Sequence, residues 1–545
     1  MKFFKRHEHG GEEQHLERKN TTNDAVDGKV TFLACFLGLT ASVGGLMFGY
    51  VSGQISGFFL MDNYSHRFGE LQSDGTYNFS AARQGTIVGL LSAGCLVGSL
   101  ISGNLADTFG RRLTISLTAL WTCVGTIIEI SSTTHWVQFA IGRLVTGLGI
   151  GSLSVVVPMY QSESSPAIIR GLLISTYQLF VTLGIWTAEM VNWGTESRTN
   201  TSSWRIPNGL SFLWALILGA GILLLPESPR YAYRKGREEE ARNTIAKLAG
   251  LEPNSPSVNR QIDEIREKLD EERALPDTKW HEIFTGPRML YRTTLGIVLQ
   301  AGQQLTGINF FFYFGTTVFA STGIKNSYVT QLILGSVNCA CTFGGLYVVQ
   351  KCGRRMALMV GGAWMMMCFF VYAFVGHFAL DHDDPLNSPA AGAVLITFSC
   401  LAIAAFATTW GPLVWAVVAE LYPSQIPQPM HGSRHCRQLA LELPHLFLVS
   451  NSPSHSPRTQ FLTLSSTRFI TDAIDYFYGL VFAACCAVLV LIVFFFVIES
   501  KDRTLEEIDT MYMLHVNPIT SSKWNAETQS NKNHREATTD EEHSS

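Results

Sequence analysis

Gln303, Gln304 and Asn309 fall inside an otherwise apolar stretch, Thr294 to Phe319, that is long enough to cross a bilayer. Uncharged amides in a lipid-spanning segment need hydrogen-bond partners that hydrocarbon cannot supply. On one continuous helix, residues five and six positions apart lie within about half a turn of each other's face, so all three amides are expected to point to one cavity. An amide offers donor and acceptor together, which suits a neutral polyhydroxylated ligand such as a sugar. The same side chains also suit hydrogen bonding between neighbouring spans, and spacing alone does not separate the two uses.

Apolar helices must hold such side chains, and the composition supplies them. Of 545 residues, 47% are hydrophobic and only 15% charged, against roughly 25% charged in soluble domains. Apolar runs close to the length needed to cross hydrocarbon occur at 30–60, 84–105, 113–131, 136–158, 172–191, 208–226, 292–320, 328–349, 356–379, 391–419 and 475–498. The net charge of −4 gives no footprint for nucleic acid. The cysteines are scattered, mostly within spans, so buried packing is expected and no disulfide framework. The first 28 residues are polar and lack a signal-peptide core, which leaves the first span as its own insertion signal.

Loop charge orients the spans. Arg111 and Arg112, Arg170, the stretch from Arg230 to Lys279, and Lys351 with Arg354 and Arg355 fall in alternate connections. The positive-inside rule makes those connections cytoplasmic, together with the N-terminus. The glycosylation sequons at Asn78 and Asn200 then lie outside, whereas a third at Asn20 lies in the cytoplasmic tail and is expected to be silent. The expected organisation is a tail (1–28), a six-helix half (29–226), cytoplasmic linker helices (227–290), a second half (291–500) and a cytoplasmic tail (501–545). Within the linker, Glu238 to Leu248 and Val258 to Arg273 read as solvated amphipathic helices.

The halves repeat. Asp107-Thr108-Phe109-Gly110-Arg111-Arg112 follows the second span, and Gln350-Lys351-Cys352-Gly353-Arg354-Arg355 stands at the equivalent place after the linker. Pro226-Glu227-Ser228-Pro229-Arg230 closes one half and Ile498-Glu499-Ser500-Lys501 the other, while Glu163 and Glu420 each end the fourth span of a half. This duplication fits a transporter whose halves rock about a midplane site, with the charged motifs latching the cytoplasmic side.

The sequence resembles the sugar porter family of the major facilitator superfamily, and fungal monosaccharide transporters in particular. The resemblance rests on Gly44-Gly45-Leu46-Met47-Phe48-Gly49-Tyr50, on Gly142-Arg143 through Pro158-Met159-Tyr160-Gln161-Ser162-Glu163, and on Arg170-Gly171. It continues in Trp204-Arg205-Ile206-Pro207, Pro226 to Arg230, Gln303 to Asn309, Trp410-Gly411-Pro412 and Arg503-Thr504-Leu505-Glu506-Glu507. It implies an all-α membrane protein of the major facilitator fold, twelve spans in two six-helix bundles, working by alternating access. It further implies that Gln178, Gln303, Gln304, Asn309 and Asn338 bind sugar hydroxyls and that Trp410 stacks on the ring, with Phe48, Phe312 or Tyr313 as further aromatic walls. The latch carried over comprises Asp107, Arg111, Arg112, Arg143, Glu163, Arg170, Glu227, Arg230, Arg354, Arg355, Glu420 and Glu499. Thr108 and Gln350 occupy positions usually charged in this motif and are expected to weaken it.

The resemblance departs at the coupling position. Proton-coupled members carry an Asp in the first span where this chain has Val51. Arg143 thereby loses its expected partner and is expected to face water or carbonyl groups. Glu129 and Glu189 could accept a proton instead, but both stand near the outer ends of spans, where a solvated carboxylate is expected. The favoured activity is facilitated diffusion of a hexose such as glucose across the plasma membrane. Proton-coupled symport and a sensor that binds glucose without moving it are the alternatives. No cofactor is expected, and no nucleophile–base pair points to an enzyme. His431, His435 and Cys436 lack a second ligand pair at metal-site spacing, so no metal is expected.

Residues 424–468 do not fit. They should hold the eleventh span, leaving eleven spans as written, but they are rich in Pro, Ser and His. Their longest apolar run, Leu443 to Val449, contains Pro444 and His445 and is too short to cross a bilayer. DNA able to encode His431 to Pro444 can, in a shifted frame, read Met-Ala-Leu-Ala-Thr-Ala-Ala-Asn-Trp-Leu-Trp-Asn-Phe, which has the character of the family's eleventh span. A frameshift or wrong splice junction, with the true frame resuming near Phe469, is the expected origin.

Overall fold

The computed structural model describes residues 31–72, 75–166, 169–274, 288–320, 326–380, 388–421 and 475–524, apart from 502 and 504. In the first half, α1 (Phe32–Phe58) leads through the short α2 (Asp62–Phe68) and a two-residue antiparallel hairpin, Glu70–Leu71 with Tyr77–Asn78, to α3 (Ala81–Phe109). Then come α4 (Arg111–Ser131), α5 (Trp136–Ser164), α6 (Arg170–Thr195), α7 (Ser202–Gly209) and α8 (Ser211–Leu223). The linker forms α9 (Pro229–Arg234), α10 (Glu238–Ala249) and α11 (Pro256–Ala274), close to the amphipathic helices expected there. Thr31 caps α1 and donates its hydroxyl to the Leu248 carbonyl at 2.7 Å, which ties α10 to the start of the bundle.

The second half contains α12 (Met289–Leu305), α13 (Ile308–Ala320), α14 (Ser327–Lys351), α15 (Arg354–Phe378) and α16 (Pro389–Ala405). A π-helical turn (Phe406–Trp410) joins α16 to α17 (Gly411–Leu421), and α18 (Tyr478–Phe496) follows. The tail helix α19 (Leu505–Met513) docks on α12 through Arg292 and Asp509, 2.6 Å apart. The expectation for 424–468 lies outside the described residues.

Nine helices among the described residues are long and apolar enough to cross a membrane. The remaining two expected spans, 172–191 and 292–320, correspond to α6, which carries Gln178, Thr182, Thr187, Glu189 and Asn192, and to α12 with α13. The sixth span starts at Ser202, earlier than the expected 208, because the helical path continues through Pro207. The seventh span corrects the sequence reading more deeply. It is not one helix over 292–320 but breaks at Thr306–Gly307, where Gly307 has φ 84 and a Cβ would stand 2.5 Å from the Phe482 ring. Helical spacing therefore does not relate Gln303 and Gln304 to Asn309.

The repeated motifs form two equivalent latches at one end of the bundle, here called the basic end. The Glu227 carboxylate accepts from the backbone N–H groups of Arg111 (3.1 Å) and Arg112 (3.2 Å), the first residues of α4. Glu499 does the same for Arg354 (2.8 Å) and Arg355 (3.3 Å) at the start of α15. A carboxylate there satisfies orphan helix donors and meets the positive end of the helix dipole. The Arg111 guanidinium forks onto Glu163, with contacts at 2.9 and 3.0 Å, and also reaches Asp107 at 3.0 Å; Arg234 joins Asp107 at 2.8 Å. In the second half Arg354 reaches Glu420 at 3.1 Å. Ser228 donates to Glu163 as Ser500 does to Glu420. Arg112 donates to the Leu225 carbonyl at 3.1 Å, and Arg355 to the Phe494 carbonyl at 2.9 Å. The Thr108 carbonyl accepts from Tyr231 beside this latch. Arg230 is half-buried in α9, and the role expected of Arg170 falls on a side chain outside those described.

Each carboxylate seats against a glycine: a Cβ on Gly110 or on Gly353 would stand 2.5 Å from Glu227 or Glu499. Gly110 also has φ 94, whereas Gly353 has φ −66. Gly110→Ala should therefore destabilise the protein by about 1–3 kcal/mol more than Gly353→Ala, the cost of the left-handed backbone alone. Thermal unfolding of the two variants in detergent checks this, and equal losses would contradict it.

Candidate functional site

The two halves meet at the end opposite the latches, the far end. Thr316 Oγ1 of α13 donates to the Ser56 carbonyl of α1 at 2.5 Å, and the Tyr328 hydroxyl of α14 to the Gly57 carbonyl at 2.8 Å. Trp186 Nε1 of α6 donates to Ser336 Oγ at 2.9 Å, and Gln331 Nε2 to Glu189 Oε1 at 3.1 Å. Asn326 Nδ2 reaches Glu196 at 2.8 Å. The far end is thus closed by polar contacts between α1 and α6 on one side and α13 and α14 on the other.

The expected ligand amides divide into three kinds. Gln303 is buried and donates to the carbonyls of Trp410 (2.8 Å) and Gly411 (3.2 Å), so it braces the π-helical turn before Pro412. Gln304 and Asn309 are half-buried and bond each other across the break, Asn309 Nδ2 donating to Gln304 Oε1. That pairing leaves the Gln304 amino group and the Asn309 oxygen adjacent and without a bond to the described residues, a donor–acceptor pair that suits two neighbouring hydroxyls. Gln178 of α6 and Asn338 of α14 make no side-chain hydrogen bond to the described residues. Gln178 stands eleven residues before Glu189 on α6, and Asn338 seven after Gln331 on α14, spacings that return to the same helix face. Both amides therefore continue, toward the basic end, the faces that close the far end.

The aromatic residues are more enclosed than expected. Trp410 is 0% exposed, with its indole N–H donated to the Leu358 carbonyl at 2.9 Å, so no ring face is free for stacking in this conformation. Phe312 and Tyr313 are also buried, in the core of the second half. Phe48 is half-buried, beside Val51 and Leu91.

Arg143 is fully buried and donates to the Val51 carbonyl at 2.9 Å, which meets the expectation of a carbonyl partner. The two spare carboxylates contradict theirs. Glu129, expected to be solvated, is 0% exposed, accepts from Thr146 Oγ1 at 2.7 Å and lies close enough to Arg143 to feel its charge. Glu189, also expected to be solvated, is 3% exposed, with Gln331 as its donor. The reason is a glycine on the facing helix in each case. A Cβ on Gly142 of α5 would stand 2.6 Å from Glu129, and one on Gly335 of α14 would stand 1.6 Å from Glu189.

The sequence matches the family described as sugar (and other) transporter over residues 37–429 and 458–512. It is 40% identical over 489 residues to the hexose transporter HXT10 of Saccharomyces cerevisiae, covering 89% of this chain and 86% of that protein. It is 40% identical over 481 residues to the high-affinity fructose transporter ght6 of Schizosaccharomyces pombe, covering 88% and 86%. The fold is similar to a partially occluded, inward-open form of the xylose transporter XylE from E. coli, with a TM-score of 0.68, 22% identity, and 87% and 100% of the two chains covered.

The amides that bond the protein and those that do not should separate on substitution. Gln178→Ala and Asn338→Ala should raise the KM for sugar on the order of tenfold, the worth of one hydrogen bond, and leave Tm unchanged. Gln303→Ala should lower stability by about 1–3 kcal/mol, because two buried carbonyls lose their donor. Uptake kinetics beside thermal unfolding read both, and a Tm loss in Gln178→Ala matching that of Gln303→Ala would refute the division.

Proposed function

Because this chain belongs to the sugar transporter family, we propose that it carries a hexose such as glucose by facilitated diffusion, through an alternating opening between its halves. It is a multi-pass membrane protein and transports sugar; the family's members are carriers and not enzymes. The hexose assignment is supported by relatives named as transporters of hexose, fructose and glucose. The amides of Gln178, Gln304, Asn309 and Asn338 bind the hydroxyls. Gln303 shapes the wall beside Trp410, whose ring reaches the sugar only if the π-helical turn shifts.

The observation that carries the facilitated mechanism is the bond from Arg143 Nη1 to the Val51 carbonyl. A carbonyl cannot take up or release a proton, so this contact does not switch with protonation as an arginine–carboxylate pair would. Uptake of labelled glucose into cells lacking their own hexose carriers should be insensitive to a protonophore. Loss of uptake with the protonophore, or alkalinisation of the medium on adding sugar, would instead establish symport.

The protein sits in the plasma membrane, with its N-terminus and basic end cytoplasmic. This is supported by the arginines gathered at the basic end and by the exposure of Asn78 and Asn200 away from it. A glycan removable by glycosidase should be lost from Asn78→Gln or Asn200→Gln; one lost on changing Asn20 would invert the topology. The lost eleventh span at 424–468 is supported by the interruption of the family match between 429 and 458. A transcript encoding the segment as written would refute the shifted frame.

A further inference from the structure

Glu189 is the acidic side chain buried directly in the contact between the halves, and nothing in sugar binding uses it. Its Oε1 accepts from Gln331 Nε2, which also donates to the Phe311 carbonyl at 3.2 Å. Its Oε2 and the Gln331 oxygen are both buried and find no donor among the described residues. The cluster therefore holds three side-chain acceptor oxygens, from Glu189 and Gln331, and one amino group, which the Phe311 carbonyl shares. No cation among the described residues pairs with Glu189.

The charged and titratable groups on the helices packed against α6 face elsewhere. Arg143 of α5 reaches the Val51 carbonyl, Arg205 of α7 the Ser132 carbonyl, Tyr50 of α1 the Pro207 carbonyl, and Tyr328 of α14 the Gly57 carbonyl. Tyr313 of α13 is buried in the core of the second half. Glu196, seven residues on and just past the end of α6, is half-exposed and accepts from Asn326. An ionised carboxylate sealed in such a place, with one neutral donor, loses hydration that nothing replaces. A proton on it removes the charge and supplies the missing donor at once.

We infer that Glu189 is a proton-binding site of the far gate: closing the halves over it takes up one proton from the medium on that side, and reopening returns it. The step is COO⁻ + H⁺ → COOH, with both species from the same side, so no proton crosses with the sugar. The inference rests on the facilitated mechanism above and on its topology, which makes the far side external. External acid then favours closure and external alkali favours opening. The change is at most about tenfold per pH unit for a single proton. Gly335 is part of the site, because any larger residue would occupy the position of Oε2.

The test is equilibrium exchange of labelled glucose by the full chain in liposomes, with internal pH fixed and external pH varied from about 5 to about 8. The wild type should change several-fold across this range, Glu189→Gln should be flat, and Glu189→Asp should keep the dependence with a shifted midpoint. A flat wild type, or a Glu189→Gln profile matching it, overturns the proposal. If Glu189→Gln is inactive, the midpoint of Glu189→Asp decides, an unchanged midpoint being the refuting result. Sugar-driven proton entry that Glu189→Gln abolishes would refute the facilitated mechanism while leaving Glu189 as the proton site.

Discussion

A carboxylate held on the first N–H groups of a helix, against a glycine that lets it approach, is the contact on which the rest of the molecule depends. It occurs twice, as Glu227 on α4 and as Glu499 on α15, each reinforced by an arginine–carboxylate fork. Charge-assisted bonds of this kind contribute about 1.5–3 kcal/mol each, and they join elements within one half. The five contacts between the halves at the far end all use neutral donors: two hydroxyls on carbonyl oxygens and an indole on a hydroxyl, worth about 0.5–1.5 kcal/mol each, and two amides on carboxylates, with no ion pair among them. The difference makes each half stiff and the junction soft. Relative motion of the halves is then the easiest large change available to this structure.

The low dielectric of the span interiors decides what the polar residues do. Gln303 spends its donors on backbone carbonyls that a π-helical turn and a proline leave in need of them. Gln304 and Asn309 satisfy half of each other and leave the other half available. Arg143 places one nitrogen on the Val51 carbonyl and lies within electrostatic reach of Glu129 on α4. Glu189 has no such neighbour among the described residues.

Much of this was legible in the sequence. The repeated Gly-Arg-Arg motifs and the glutamates after them pointed to Glu227, Glu499 and the Arg111 and Arg354 pairs, because charged groups at span ends have few places to go, but Arg143, expected in the latch, lies on the Val51 carbonyl instead, and Arg234 joins the latch unforeseen. The spans were legible from their apolar length, even α6, whose polar residues blur its hydrophobicity. The break in the seventh span was not, although Thr306-Gly307 marks it, because the turn depends on Phe482 packing over Gly307 from a helix far along the chain. The burial of Glu129 and Glu189 was hidden for the same reason. Nearness to a span end suggests solvent, but the glycine that admits each carboxylate lies on another helix. Trp410 was placed correctly within its span, yet its indole is committed to the Leu358 carbonyl, a long-range contact that composition does not reveal.

The central claim is that two rigid halves move against each other around sugar. Distances between spin-label pairs on the full chain test it most directly. One pair would span the far junction, at Gly194 and Val329, and the other would lie within the first latch, at Thr108 and Lys235; all four positions are exposed. Saturating glucose should change the populations of short and long distances between Gly194 and Val329 while the Thr108–Lys235 distance stays single and fixed. A junction distance indifferent to sugar, or a latch distance that changes with it, would contradict the account.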